Sequence, residues 1–155
     1  MRELKLKPGD KAPKFTLKNQ HGEEIALASL KGKKVLLSFH PLAWTPVCEV
    51  QMKSLEIKKA ELDKLNTVAL GISVDSTYAK KEWADYIDIE NTHLLSDFWP
   101  HGDVAKLYDL FIEKAGISGR ANILVDEKGI IQKIWVYEIP QIPDIEEVIR
   151  SIPAK

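Results

Sequence analysis

The chain of 155 residues contains a single cysteine, Cys48. No disulfide can form within it, so the fold must hold by packing alone. A chain of this length can enclose a sufficient core, and one domain spanning 1–155 is expected. Charge of one sign is lacking too, since 22 Lys and Arg face 23 Asp and Glu. That balance leaves no electrostatic footprint for nucleic acid or an anionic membrane. No apolar run is long enough to span a bilayer. Met1-Arg2-Glu3-Leu4-Lys5 lacks the apolar segment of a secretory signal, which leads to the expectation of a cytoplasmic protein. His21, His93 and His101 are scattered without ligand spacing, so no metal is expected. A P-loop and a dinucleotide fingerprint are both missing, and no cofactor is expected.

What is present reads as alternating strands and helices. Phe15-Thr16-Leu17 and Ile25-Ala26-Leu27 flank Asn19-Gln20-His21-Gly22, an N-terminal β-hairpin signal in which Gly22 is free to take positive φ. Lys34 to His40 and Thr67 to Val74 are near-continuous apolar runs, the pattern of strands buried on both faces of a parallel sheet. The spacing predicts a long helix from Pro46 to about Leu65, and others over Thr77 to Ile87, Asp103 to Phe111 and Pro143 to Ile152. His93-Leu94-Leu95 reads as a short strand. Ala121 to Val125 and Ile130 to Tyr137 read as strands joined by Asp126-Glu127-Lys128-Gly129. The order β-α-β followed by β-β-α is that of an α/β, thioredoxin-like fold, a central mixed sheet flanked by helices.

Cys48 lies at the start of the first long helix. Thr45 is a good N-cap residue, and Pro46 suits the first helical position, where no amide hydrogen is needed. Cys48 is then the third helical residue, beside the unpaired amides and the positive end of the helix dipole. Such a position favours the thiolate, the nucleophilic form. Met52, Leu55 and Leu62 share the Cys48 face, so the sulfur points into the protein body. Thr45-Pro46-Val47-Cys48 has C-x-x-C spacing with Thr in the first position, which excludes a dithiol reductase.

Pro41-x-x-x-Thr45-x-x-Cys48, at a strand end and a helix start, resembles the active-site pattern of the peroxiredoxins. Four further segments are similar in order: Pro8-Gly9-Asp10-Lys11-Ala12-Pro13-x-Phe15; Ser73-Val74-Asp75-Ser76 with Trp83; Leu95-Ser96-Asp97; and Gly119-Arg120-Ala121. The chain resembles the AhpC/TSA type, and within it the one-cysteine, bacterioferritin-comigratory and AhpE-like branches. The resemblance implies a thiol peroxidase acting on hydrogen peroxide and organic hydroperoxides. Cys48 would be the peroxidatic cysteine, and Thr45 would donate its hydroxyl to the thiolate and to the peroxide. Arg120 would hold positive charge near the sulfur. Pro41 would shield the site, Gln51 would orient Arg120, and Trp83 would support the pocket. The backbone amides of Val47 and Cys48 would stabilise the departing oxygen.

A resolving cysteine, which some members carry five residues after the first, is replaced by Lys53. The sulfenic acid must therefore be reduced by an external thiol such as thioredoxin, glutaredoxin or a low-molecular-weight thiol. A homodimer is expected by resemblance. His40 stands where the family more often has an aromatic residue, and reads as a pre-proline strand end. Two other functions stay compatible with the residues. A cysteine hydrolase or transferase would need a His base, and only His40 is close in sequence. A thioredoxin-like binding or holdase module would carry an unreactive thiol.

Overall fold

The computed structural model describes residues 3–154. Nine strands and five α-helices follow one another along them. They are β1 (Thr16–Lys18), β2 (Glu24–Ala26), β3 (Lys34–Phe39), α1 (Pro46–Ile57), α2 (Lys59–Lys64), β4 (Thr67–Ser73), α3 (Thr77–Tyr86) and β5 (His93–Ser96). Then come α4 (Asp103–Leu107), β6 (Phe111–Ile112), β7 (Ile117–Ser118), β8 (Arg120–Val125), β9 (Ile131–Tyr137) and α5 (Ile145–Arg150). Seven strands form one sheet in the order β2-β1-β5-β4-β3-β8-β9. β3, β4 and β5 are parallel at its centre, and the remaining pairings are antiparallel. This is the mixed sheet expected of a thioredoxin-like fold.

The central strands bury both faces, and their alternation divides the core. Val35, Leu37 and Phe39 of β3 join Leu70, Ile72, Ala121, Ile123 and Tyr108 on one face. Leu36 points to the other, where Cys48, Met52 and Leu55 of α1 meet Trp83 and Ala84 of α3. In the N-terminal hairpin Gly22 takes φ 79, and the Asn19 side chain accepts from the amides of His21 and Glu23 at 2.9 and 3.0 Å.

Several predicted helices are shorter than their spacing suggested. The run from Pro46 to Leu65 breaks at Lys58, whose φ of −92° and ψ of 10° end α1. The break lets Leu62 leave the Cys48 cluster and pack with Leu124 and Ile152 instead. The run from Asp103 to Phe111 ends at Leu107 because Asp109 takes the left-handed conformation, φ 59, and Leu110 N donates back to Ala105 O at 2.8 Å. Phe111 instead pairs with Ser118 in a two-stranded hairpin that the apolar pattern did not reveal. The last helix begins after Asp144, whose carboxylate caps the amides of Glu146 and Glu147, so Pro143 lies outside it.

Candidate active site

β3 runs directly into the loop that carries the motif. Pro41 is buried, and the Ala43 amide donates to Asp75 Oδ2 at 2.8 Å, tying the loop to the end of β4. Trp44 sits in the left-handed region at φ 69, where side chains other than glycine are uncommon. Its ring lies 5.3 Å from that of Tyr86 on α3, a contact that holds the turn. The reversal at Trp44 aims Thr45 into α1.

Thr45 occupies the N-cap position with extended φ and ψ, and Pro46 is the first helical residue, as the sequence predicts. The Thr45 hydroxyl does not cap the helix, however. It donates to Leu42 O at 2.7 Å, closing the loop instead. The first intrahelical bond runs from Glu49 N to Thr45 O at 3.0 Å, so the amides of Val47 and Cys48 precede the ladder. Cys48 is fully buried.

The loop before β8 brings a cation to the sulfur. Arg120 is the first residue of β8, 2% exposed, and its Nη1 donates to Cys48 Sγ at 3.4 Å and to Gln51 Oε1 at 2.8 Å. Its Nε and Nη2 both donate to Ile139 O, at 2.9 and 2.6 Å. A buried guanidinium is costly unless its donors are matched, and this set gives each of its three nitrogens a partner. Gln51, one turn after Cys48, is itself held because its Nε2 donates to Ser38 Oγ at 2.8 Å and to Phe39 O at 3.1 Å. Its amide nitrogen thus faces the strand and its oxygen faces Arg120. Trp83 packs in the same apolar cluster as Cys48.

This thiol, cation and proline constellation sits in a sequence that matches the AhpC/TSA family over residues 8–134. The chain belongs to that family. Alkyl hydroperoxide reductase E of Mycobacterium tuberculosis is 41% identical over 128 residues, spanning 82% of this chain and 83% of the relative. Peroxiredoxin 2 of Sulfurisphaera tokodaii is 35% identical, spanning 94% of this chain and 71% of that protein. Among solved structures, the reduced 2-Cys peroxiredoxin of Plasmodium vivax superposes with a TM-score of 0.85 at 30% identity, over 94% of this chain and 79% of that one.

Hydrogen bonds join Arg120 to Cys48 and Gln51, Trp83 shares the Cys48 cluster, and Pro41, Thr45 and Val47 lie in the stretch that leads into Cys48. Sequence reasoning missed the anchors behind them. The Ile139 carbonyl is a backbone group with no sequence signal. Lys80 is also fully buried, and its Nζ donates to His40 Nε2 at 2.9 Å. Its signal was available: Lys80 lies three residues before Trp83, on the same helical face. β3 stops at Phe39, one residue short of the expected end, and the His40 ring just beyond it is buried against that lysine rather than serving as an inert strand terminus.

Proposed function

We propose that the protein is a thiol-dependent peroxidase with a one-cysteine cycle centred on Cys48. The observation that carries this reading is Arg120 Nη1 at 3.4 Å from a first-turn Sγ. A cation that cannot lose its proton faces the sulfur at every working pH. It remains in place when negative charge moves to the departing oxygen.

The thiolate attacks one oxygen of the peroxide in line with the O–O bond. The S–O bond forms as the O–O bond breaks, and sulfur loses two electrons to the peroxide. The leaving oxygen takes up a proton and departs as water or alcohol. Arg120 and the amides of Val47 and Cys48 are the donors positioned for that oxygen. Thr45 supports this step if its hydroxyl turns from Leu42 O to the peroxide. An external thiol then attacks the sulfenic sulfur, releasing water and forming a mixed disulfide, and a second thiol of the donor frees Cys48 as the donor becomes a disulfide. A cycle that relies on outside thiols suits a reducing compartment, and we place the protein in the cytosol. A homodimer is part of the same reading, supported by exposed Tyr78, Phe98 and Trp99, apolar surface that a second copy would cover.

One equivalent of peroxide, followed by mass spectrometry of the intact chain, tests the proposal. One added oxygen on Cys48, removed by a thiol donor, is the expected result. Peroxidase turnover surviving in Cys48→Ser would falsify it. Chromogenic ester hydrolysis dependent on Cys48 would favour a cysteine hydrolase instead.

A further inference from the structure

His40 and Lys80 take no part in the chemistry described above, yet both are fully buried and meet across 2.9 Å. Lysine is almost never fully buried without a partner for its charge. Here its acceptor is an imidazole nitrogen rather than a carboxylate. The neighbours of the ring decide which nitrogen is which. Nδ1 faces the Ser38 carbonyl at 3.3 Å, a group that can only accept, so Nδ1 carries the ring proton. Nε2 then holds a lone pair and accepts from Lys80 Nζ. Two bases this close in an apolar setting cannot both be cations. The pair holds one excess proton at most, and that proton resides on Nζ.

The pair borders the apolar cluster that holds the reactive sulfur. The Trp83 ring lies 5.7 Å from the His40 ring, and Lys80 Nζ is 5.6 Å from the Trp83 centroid. Trp83 and Cys48 share one apolar cluster. Charged groups face the pair from each packed element: Cys48 from α1, Asp75 from the end of β4 and Arg120 from β8. Burial pulls the Lys80 ammonium down to about 7, while Asp75 and Cys48 act to retain its proton. Burial, then the charge of Lys80, holds His40 well below its ordinary value. The loss of one neighbouring negative charge therefore shifts the pair from loaded to empty near neutral pH. Oxidation of Cys48 removes such a charge, because a thiolate becomes a neutral sulfenic acid.

Building on the peroxidase reading, we propose that His40 and Lys80 form a buried proton store governed by the charge on Cys48, loaded beside the thiolate and emptied when the sulfenic acid forms. The step balances. Thiolate, peroxide and Lys80 ammonium give sulfenic acid, water or alcohol, and neutral Lys80 amine. The thiolate electron pair makes the S–O bond, and the O–O bond breaks. The proton lost from Nζ equals the one gained by the departing oxygen. Reduction by the outside thiol restores the thiolate, and the pair reloads from solvent. His40 and Lys80 are positioning residues that act through the field at the sulfur.

Two measurements test the store. The first titrates the Lys80 Cε resonance in the reduced wild-type protein and in Cys48→Ser, without any peroxide. The midpoint is expected to be about one pH unit lower in Cys48→Ser, and identical midpoints would overturn the proposal. The second follows sulfenic acid formation by stopped flow in wild type and Lys80→Met. The ratio of the wild-type rate to the variant rate is expected to fall about tenfold between pH 6 and pH 8.5. A constant ratio would overturn the proposal, because a purely structural lysine would lower the rate equally at each pH. If Lys80→Met does not fold, the resonance titration decides alone. Failure of Cys48 to react with peroxide would remove the peroxidase reading, an outcome separate from the titration result.

Discussion

Arg120 Nη1 donates to Cys48 Sγ at 3.4 Å and, from the same nitrogen, to Gln51 Oε1 at 2.8 Å. The sulfur and its cation are therefore linked through a residue one helical turn beyond the cysteine. Gln51 is anchored to β3 through Ser38 and Phe39, and Arg120 to the chain after β9 through Ile139. The charge beside the sulfur thus rests on β3 and on the Ile139 carbonyl, and its placement does not depend on a flexible side chain alone.

Arg120→Met should slow the peroxide reaction by about 10²- to 10³-fold, the loss typical of removing one preorganised donor from a developing anion. Arg120→Lys keeps a charge but cannot reach Sγ, Gln51 and Ile139 together, so recovery should be partial. Stopped-flow fluorescence with hydrogen peroxide measures both. An Arg120→Met rate equal to wild type would remove Arg120 from the mechanism.

Gln51→Met preserves length but strands several polar groups, namely Ser38 Oγ, Phe39 O and an Arg120 N–H. Leaving buried groups unpaired costs about 1–3 kcal/mol. Urea unfolding should register that loss, and the second-order rate with peroxide should fall as Arg120 loses its guide. A stable variant with an intact rate would mean that Ile139 alone positions the guanidinium.

Thr45→Val is nearly isosteric and removes only the hydroxyl. In the resting structure that hydroxyl donates to Leu42 O, close to the surface, so stability should change little. The peroxide rate should drop about 10²-fold if the hydroxyl turns to the substrate, and Thr45→Ser should restore most of it. Equal rates in Thr45→Val and wild type would confine Thr45 to shaping the loop.

Lys80 makes stability depend on pH in a definite direction. Its folded value, about 7, lies below the 10.5 of an ordinary lysine. Between those values the unfolded chain binds a proton that the folded chain does not, so stability rises with pH. The slope for one proton is about 1.4 kcal/mol per pH unit. Below about pH 7 both states are protonated, and the cost of burying the ammonium is present in full. Lys80→Met should accordingly be the more stable protein at pH 7.5, with the gap narrowing by pH 9.5. Denaturant midpoints of both proteins across that range provide the check, and a gap that does not narrow would contradict the low folded value.

The features legible in the sequence were the local ones. Thr45-Pro46 placed the helix start, and counting from it put Cys48 in the first turn. The apolar runs of β3 and β4 marked strands buried on both faces, and Gly22 marked the hairpin turn. Each depends on neighbours a few residues apart, where propensity, capping and periodicity act. Arg120 came from a resemblance, because nothing between residues 48 and 120 states their distance. Antiparallel pairing of β3 with β8, Phe39 opposite Ala121, brings them together. The break at Lys58 and the hairpin at Phe111 escaped prediction because burial of Leu62 and a left-handed Asp109 outweighed the helical pattern. The least legible feature was the pair of His40 and Lys80. One reads locally as a strand terminus and the other as a charge on a helix. Only the packing of α3 against the end of β3 excludes water from both, and without water to hold them apart the two bases must share one proton.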